Sequence, residues 1–253
     1  MRMSSLRLEG ITKRFGGLEA VAELSLAIER GRITGLIGPN GAGKTTVVNM
    51  ISGLMTPSAG HIRLGDDEID GEPLNRVARR GISRTFQNVR LLREATVLEN
   101  IVVGAHRHER TSLLANTLGF PAVWRERRAF RERAAQLLQR FGLEELGGIP
   151  AGGLSYGHQR LVEVMRALAM EPDFLLLDEP VAGMNEVEGR RLGAIVKGLA
   201  QEGIGVLLIE HNMRFVMEFC DMIYVIDSGR LIAQGTATAI SRDATVIKAY
   251  LGA

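Results

Sequence analysis

The stretch GPNGAGKTT at residues 38 to 46 decides the fold of this chain. It satisfies the pattern G-x-x-x-x-G-K-[ST], in which glycines let successive backbone N–H groups turn inward and cradle phosphate oxygens. The apolar run RITGLIG comes before it, and TTVVNMISGL, which has helical spacing and ends at Gly53, comes after it. A strand that leads through such a loop into a helix N-terminus is a setting in which phosphate binds.

The loop predicts ATP and Mg²⁺ as ligands. Lys44 would reach the β and γ phosphates, and Thr45 would place its hydroxyl on Mg²⁺. A lysine is informative here, because only four of the 31 basic residues are lysines and a compact ammonium suits a phosphate. The alternative is a Gly-rich turn without a ligand. The residues predicted to bind the nucleotide are Gly38, Pro39, Asn40, Gly41, Ala42, Gly43, Lys44, Thr45 and Thr46.

The remaining pattern predicts an α/β fold. Up to about residue 85 the segments LRLEGI, LSLAI and HIRLGDDEI alternate as strands do, which indicates an N-terminal β region. Strand signals nearly vanish between residues 87 and 170, where WRERRAFRERAAQLLQRFGL has helical spacing. DFLLLDEP and GVLLIEH then read as buried strands separated by a helix. We therefore expect one domain over residues 1–253, with a helical subdomain at approximately 88–170 inserted in the α/β core.

The charge balance gives no support for a nucleic-acid partner. The 31 basic and 29 acidic residues leave a net charge of +2, which exerts little long-range attraction on phosphate backbones. The arginines of the helical segment lack the aromatic platform that stacks on bases, so we interpret them as a solvated helix face.

Membrane and export signals are also missing from the sequence pattern. No run approaches the roughly 18 apolar residues of a membrane helix, and the N-terminus lacks the apolar stretch of a secretory signal. We expect a chain that neither spans the membrane nor is exported. The single cysteine, Cys220, has apolar neighbours and is expected to be a small buried side chain.

The apolar strand in FLLLDEP ends with two adjacent carboxylates, at the kind of strand end where doubly wound sheets bind ligands. Asp178 would hold Mg²⁺ directly or through water, and Glu179 could accept a proton from the attacking water. His211 ends the second buried run and could donate to a γ-phosphate oxygen. The alternatives are a solvated acidic turn for the pair and a structural role for the histidine.

Together with LSYGHQR at residues 154 to 160, these segments resemble the nucleotide-binding subunit of ATP-binding cassette (ABC) transporters over almost the whole chain. The resemblance implies a P-loop NTPase of the ABC ATPase type, with a mixed core sheet, an N-terminal antiparallel β region and a helical subdomain. It also implies two subunits that face each other head to tail. Ser155 and Gly157 would then donate to the γ-phosphate bound by the opposite subunit.

Two further positions are carried over from the family. Phe15, in TKRFGG, would stack on adenine, and the alternative is an aromatic residue of the core. Gln87, in SRTFQNVRL, matches the glutamine loop, which touches Mg²⁺ or the attacking water and transmits the nucleotide state to the membrane subunits; the alternative is an ordinary loop amide. The catalytic set predicted in this way is Glu179, His211 and Gln87, and the metal set is Thr45, Gln87 and Asp178.

Two positions depart from the family pattern. His158 stands where the commonest signature has Gln, and Asn185 ends AGMN where the usual dimer-contact loop ends in Asp. Asn185 keeps a hydrogen-bonding side chain but lacks the charge that the family has at this point of the dimer contact.

Within the family, the segments RFGGLEAV, GISRTFQNVRLLREATVLENI, LDEPVAGMN and IEHNMRFVM and the ending VIKAYLGA look most like the ATPase of branched-chain amino-acid importers. The resemblance implies a second ABC ATPase, identical or not, two transmembrane permeases and, through them, a periplasmic solute-binding protein. It places the chain peripherally on the cytoplasmic face of the inner membrane. Permease contact is expected at the helical insert, near Gln87 and the TVLENI segment.

Several alternatives share the ATP site. An importer ATPase for urea, short amides or aromatic acids has much the same pattern, and an exporter ATPase has the same fold. A soluble ABC-type ATPase acting on ribosomes or DNA usually has tandem cassettes or long coiled-coil inserts, and the sequence shows neither. A nucleotide-sensing module without turnover would not require Lys44, Asp178 and Glu179 together.

Overall fold

The computed structural model describes residues 5–85, 90–105 and 121–251. The chain divides into two compact units. The first consists of Met1–Arg84, Asp173–Glu179 and Asn185–Ala253, and the second of Thr85–Pro172 and Pro180–Met184.

An antiparallel sheet forms the N-terminal part of the first unit. Its strands are β1 (Ser5–Phe15), β2 (Leu18–Glu29), β4 (Ala59–Leu64) and β5 (Asp67–Glu68), in the order β2-β1-β4-β5. Leu8 pairs with Leu26 on one side and with Ile62 on the other, and all three side chains are buried. The alternating sequence therefore places one apolar face in the core, and the predicted antiparallel region is confirmed.

A second, mixed sheet carries the strand ends that concern function. Its order is β10-β9-β3-β8-β7-β6. The strands are β3 (Ile33–Ile37), β6 (Ile82–Arg84), β7 (Phe174–Asp178), β8 (Gly205–Ile209), β9 (Met222–Asp227) and β10 (Arg230–Gly235). The first five run parallel, and β10 pairs antiparallel with β9. Strands β3, β7 and β8 are buried at every residue, which explains their continuous apolar runs.

Both units contain helices. In chain order they are α1 (Lys44–Ile51), α2 (Leu74–Arg79), α3 (Val97–Ala105), α4 (Pro121–Phe141), α5 (Tyr156–Leu168), α6 (Glu186–Gln201), α7 (Met213–Phe219), α8 (Ala237–Ile240) and α9 (Ala244–Leu251). Short 3₁₀ turns occupy Glu144–Leu146 and Ala151–Gly153. Within the described ranges, no helix combines the length and the apolar character needed to cross a membrane.

A buried carboxylate on α5 joins that helix to the segment that begins at Arg90. On α5, Glu163 accepts a hydrogen bond from the backbone N–H of Arg90 at 2.8 Å and pairs with Arg160 at 3.1 Å. Burial raises the pKa of Glu163, and the Arg90 N–H and the two neighbouring guanidinium groups oppose that shift. The chain just after residues 86–89 is thereby tied to α5.

Candidate functional site

The predicted phosphate loop lies between the end of β3 at Ile37 and the first residue of α1, Lys44. Gly43 precedes the helix with φ 101° and ψ 1°, and no side chain caps the helix. A Cβ atom at Gly43 would lie 2.5 Å from the carbonyl oxygen of Ala20, so this conformation and this contact both require glycine. The first N–H groups of α1 therefore point toward the loop without a side-chain acceptor, as an anion site requires.

Lys44 lies across this loop. Its Nζ donates to the carbonyl oxygens of Gly38 at 2.7 Å and Pro39 at 2.8 Å. Burial lowers the pKa of Lys44, while the negative charges of Glu179 and Asp178 raise it in part. Thr45 is exposed in the first turn of α1, and Thr46 is half-buried. The loop thus brings an ammonium and an accessible hydroxyl to the same edge of the sheet.

The strand register aligns the acidic pair with this loop. Asp178 pairs with Ile209, and Ile209 pairs in turn with Leu36, one residue before the end of β3. Asp178 ends β7 and is only 2% exposed. The next residue, Glu179, has φ 50° and donates its N–H to the carbonyl oxygen of Ile209 at 2.9 Å. This left-handed turn takes Glu179 out of the strand alternation at the carboxyl edge.

His211 joins the same group. It lies two residues beyond β8, and its Nδ1 is 3.6 Å from Oε1 of Glu179. The structure therefore brings together four of the residues singled out by sequence: Lys44, Asp178, Glu179 and His211.

Two side chains at this edge were missed by sequence reasoning. Arg84 ends β6, and one terminal nitrogen of its guanidinium group donates to Asn49 Oδ1 at 2.8 Å and to Ser52 Oγ at 2.9 Å. The other terminal nitrogen is 3.6 Å from Asp178 Oδ2. Glu210 is buried, and its Oε2 accepts the backbone N–H of His211 at 3.2 Å. No local sequence motif marks these two charged residues, because their partners are distant in the chain or are backbone atoms.

Phe15 ends β1 and is 45% exposed, with Lys13 Nζ 5.5 Å from the ring centroid. The alternative of a core aromatic is therefore wrong, and an accessible ring is what base stacking requires. Gln87 lies outside the described residues. Cys220 is half-buried, and burial, with the charges of Asp221 and Glu210, raises the pKa of its thiol to about 12, so it is not a reactive thiolate.

The signature residues lie in the second unit. Ser155 is the N-cap of α5, and its Oγ accepts the N–H of His158 at 3.3 Å. Gly157 is buried in the first turn.

Asn185 caps α6 and forms a capping box with Glu188, with both hydrogen bonds at 2.9 Å. Both departures from the family pattern thus occur at helix N-termini, and at position 185 either Asn or Asp can cap the helix.

The oxygen donors of the first unit suit Mg²⁺. Thr45 offers a hydroxyl and Asp178 a carboxylate, and hard divalent cations prefer such oxygen ligands. Lys44 and the N-terminus of α1 supply positive charge for phosphate beside them. A phosphate loop between a parallel strand and a helix, facing paired acids at a neighbouring strand end, defines a P-loop nucleoside-triphosphatase.

Comparison with known proteins gives the family. A model described as "ABC transporter" matches residues 21–182, and one described as "Branched-chain amino acid ATP-binding cassette transporter" matches residues 230–253. The chain belongs to the ABC transporter family, in its class of ATP-hydrolysing, nucleotide-binding subunits.

Relatives extend over the full length of the chain. The high-affinity branched-chain amino acid transport ATP-binding protein BraF of Pseudomonas aeruginosa is 46% identical, covering 98% of this chain and 97% of BraF. LivG of Escherichia coli, with the same description, is 42% identical and covers 100% and 99%. The lipopolysaccharide export system ATP-binding protein LptB of Escherichia coli is 37% identical and covers 99% and 98%.

Solved structures agree on the fold. A nucleotide-free ATP-binding cassette from an ABC transporter superposes with a TM-score of 0.87 at 32% identity, covering 99% of this chain and 100% of that one. The ADP conformation of MJ1267, an ATP-binding cassette of an ABC transporter, gives 0.85 at 32% identity with the same coverage. The predicted fold class, an α/β ABC ATPase with a mixed core sheet, is confirmed.

Proposed function

We propose that this chain hydrolyses MgATP to drive an importer of branched-chain amino acids. The observation that carries the hydrolytic part is the grouping of Lys44 with Asp178, Glu179 and His211 at one sheet edge. The solute is supported by the C-terminal match over residues 230–253 and by the descriptions of BraF and LivG. LptB supports an exporter ATPase as the second candidate, at lower identity.

The loop and Lys44 bind the triphosphate. Backbone N–H groups at the start of α1 and the Lys44 ammonium face the phosphates, and Phe15 stacks on the adenine ring. In this proposal Lys44 exchanges its hydrogen bonds to the Gly38 and Pro39 carbonyls for bonds to phosphate oxygens. That exchange raises the pKa of Lys44 again, because phosphate charge favours the ammonium.

Thr45 and Asp178 are the described residues that would hold Mg²⁺, and Gln87 is the third predicted ligand. When bound, the ion neutralises charge on the β and γ phosphate oxygens. Asp178 serves this role because its carboxylate is fixed at the end of a fully buried strand.

Glu179 is the proposed general base. The attacking water forms a bond to the γ phosphorus, the bond from that phosphorus to the β–γ bridging oxygen breaks, and the water proton passes to Glu179. His211 lies against the Glu179 carboxylate and donates toward the γ-phosphate oxygens. Glu210 accepts a hydrogen bond from the backbone N–H of His211. This bond fixes the backbone position from which the imidazole side chain extends.

The active assembly requires a second cassette. In the proposal, two ATP molecules hold two cassettes together, and Ser155 and Gly157 of each contact the γ-phosphate bound by the other. The exposed Ser155 hydroxyl at the N-terminus of α5 is suited to an anion. Hydrolysis removes those contacts, and the resulting opening is passed to the permeases.

Permease contact is proposed on the second unit. An open groove of about 940 Å³ lies among α3, α4 and the 144–148 segment, and its lining includes Leu98, Val102, Val103, Val123, Phe130 and Leu138. Charged side chains also line it, namely Glu99, Glu126, Arg127, Arg131 and Glu144. A groove with apolar and charged lining accepts a short amphipathic segment of a membrane subunit. The proposal places the chain peripherally on the cytoplasmic face of the membrane, with a periplasmic binding protein acting through the permeases and with no nucleic acid partner.

The test compares wild type with Glu179→Gln in transporter complexes isolated from gently solubilised membranes. We expect phosphate release to fall at least about 100-fold in the variant while ATP binding is retained. Mass spectrometry of the co-purified chains should find two permeases and a second cassette, and radiolabelled leucine uptake should require them. Equal phosphate release would remove Glu179 from the mechanism, and co-purified ribosomes or DNA would contradict the transport role.

A further inference from the structure

Arg84 is a buried cation at the nucleotide edge that the mechanism above does not use. Its side chain is 6% exposed. It reaches two elements at once, because one guanidinium nitrogen donates to Asn49 and Ser52 on and just after α1, and the other lies 3.6 Å from Asp178 at the end of β7.

These contacts join the two elements that carry the proposed metal donors. Asn49 lies one helical turn after Thr45, so fixing Asn49 fixes the first turn of α1. Asp178 is 2% exposed, and a buried carboxylate is costly unless a cation or hydrogen-bond donors compensate it. Arg84 therefore supplies compensating positive charge to Asp178. Its planar guanidinium group also fixes the distance between Asp178 and α1.

We propose that Arg84 is a positioning residue for magnesium, one that holds the Thr45 helix and the Asp178 carboxylate in the arrangement that binds one cation. The inference rests on the proposed MgATP site.

Arg84 also has an electrostatic effect that opposes magnesium binding. A guanidinium beside a metal ligand repels the incoming cation, so its removal would strengthen magnesium binding if charge alone mattered. Loss of an outer partner that orients a ligand instead costs about 10- to 100-fold in metal affinity. We expect orientation of the Asp178 ligand to outweigh repulsion of the cation by Arg84. The two effects predict opposite changes in magnesium affinity for the same substitution.

The experiment measures ADP binding to the full chain by calorimetry, once with excess Mg²⁺ and once with EDTA. The magnesium enhancement is the dissociation constant in EDTA divided by that in Mg²⁺. We expect Arg84→Met to lower this enhancement about 10-fold, while ADP affinity in EDTA changes less than about 2-fold. Arg84→Lys should lie between wild type and Arg84→Met, because it keeps the charge but not the fork.

Arg30→Met is the matched control. Arg30 is also largely buried and pairs with Asp173, which precedes β7 at its other end. We expect its magnesium enhancement to equal that of wild type. If Arg84→Met does not fold, Arg84→Lys and Asn49→Ala carry the test, each with an expected loss of about 3-fold.

The outcomes separate this inference from the proposed function. An unchanged or increased enhancement in the Arg84 variants overturns the positioning role. An equal loss of affinity with and without Mg²⁺ shows a general structural role and also overturns it. No enhancement in wild type would overturn the magnesium–nucleotide site itself, and this inference with it.

Discussion

Nδ1 of His211 lies 3.6 Å from Oε1 of Glu179, although the two residues follow different strands of the core sheet. The backbone draws them together, because the N–H of Glu179 donates to the carbonyl of Ile209, two residues before the histidine. The proposed general base and the proposed γ-phosphate donor therefore share one hydrogen-bonded corner, and a displacement of either changes the position of the other.

This corner predicts the effect of His211→Ala. Loss of the imidazole removes a donor to the transition state, so kcat in the assembled transporter should fall about 10²- to 10³-fold. ADP affinity of the isolated chain should stay within about 2-fold, because the phosphate loop is untouched. His61→Ala is the control, since His61 is on the exposed face of β4 beside Glu68 and Asp70. Full turnover in His211→Ala would exclude the histidine from catalysis.

Nucleotide affinity should depend on pH through Lys44. Burial lowers the pKa of Lys44 in the free protein, and bound phosphate raises that pKa. At a pH above the lowered pKa, Lys44 must therefore take up a proton when the nucleotide binds. ADP affinity should therefore weaken as the pH is raised toward the ordinary lysine pKa. Calorimetric titrations at several alkaline pH values measure this. Lys44→Arg should show no such decline, since a guanidinium stays charged there.

Gly183→Ala should destabilise the protein. Gly183 has φ 74°, and an added Cβ would lie 2.6 Å from the Tyr156 ring. Backbone strain and the close contact together should cost about 1–3 kcal/mol in the free energy of unfolding, measured by urea denaturation. Part of that cost should disappear in a Tyr156→Ala background, because the ring atom is then absent. Gly153→Ala, which would meet open space, is the control and should cost much less.

Asn185 allows a test of the departure from the family pattern. Asn185→Ala removes half of the capping box on α6 and should cost about 1 kcal/mol of stability. Asn185→Asp should keep that stability, because aspartate caps equally well and its charge suits a helix N-terminus. Thermal unfolding of the three proteins checks the ranking. A cost for Asn185→Asp equal to that of Asn185→Ala would contradict the capping role.

The elements around the nucleotide were predictable because their signals are local. The loop pattern fixed the strand-to-helix turn at Gly43, and the apolar runs before Asp178 and Glu210 identified β7 and β8. Parallel pairing of those strands then brought Asp178 and His211 to one edge, as the strand–helix–strand order requires.

The contacts of Arg84 were not predictable in that way. A strand-end arginine can face solvent or any neighbouring element, and only the tertiary arrangement places it between Asn49 and Asp178. Phe15 shows the same limit, because an aromatic residue at the end of a strand has no local signal that separates a core position from an exposed one.

The chain crosses from the first compact unit to the second directly after two residues of the proposed site. Arg84 is the last residue of the first unit before the chain enters the second, and Glu179 is the last residue before it enters again at Pro180. A circular permutation or a protease cut at either crossing would therefore place a new chain terminus next to Arg84, the proposed positioning residue, or Glu179, the proposed general base. Excising the helical unit by cutting the chain at these crossings would leave the first unit with new ends at both Arg84 and Glu179.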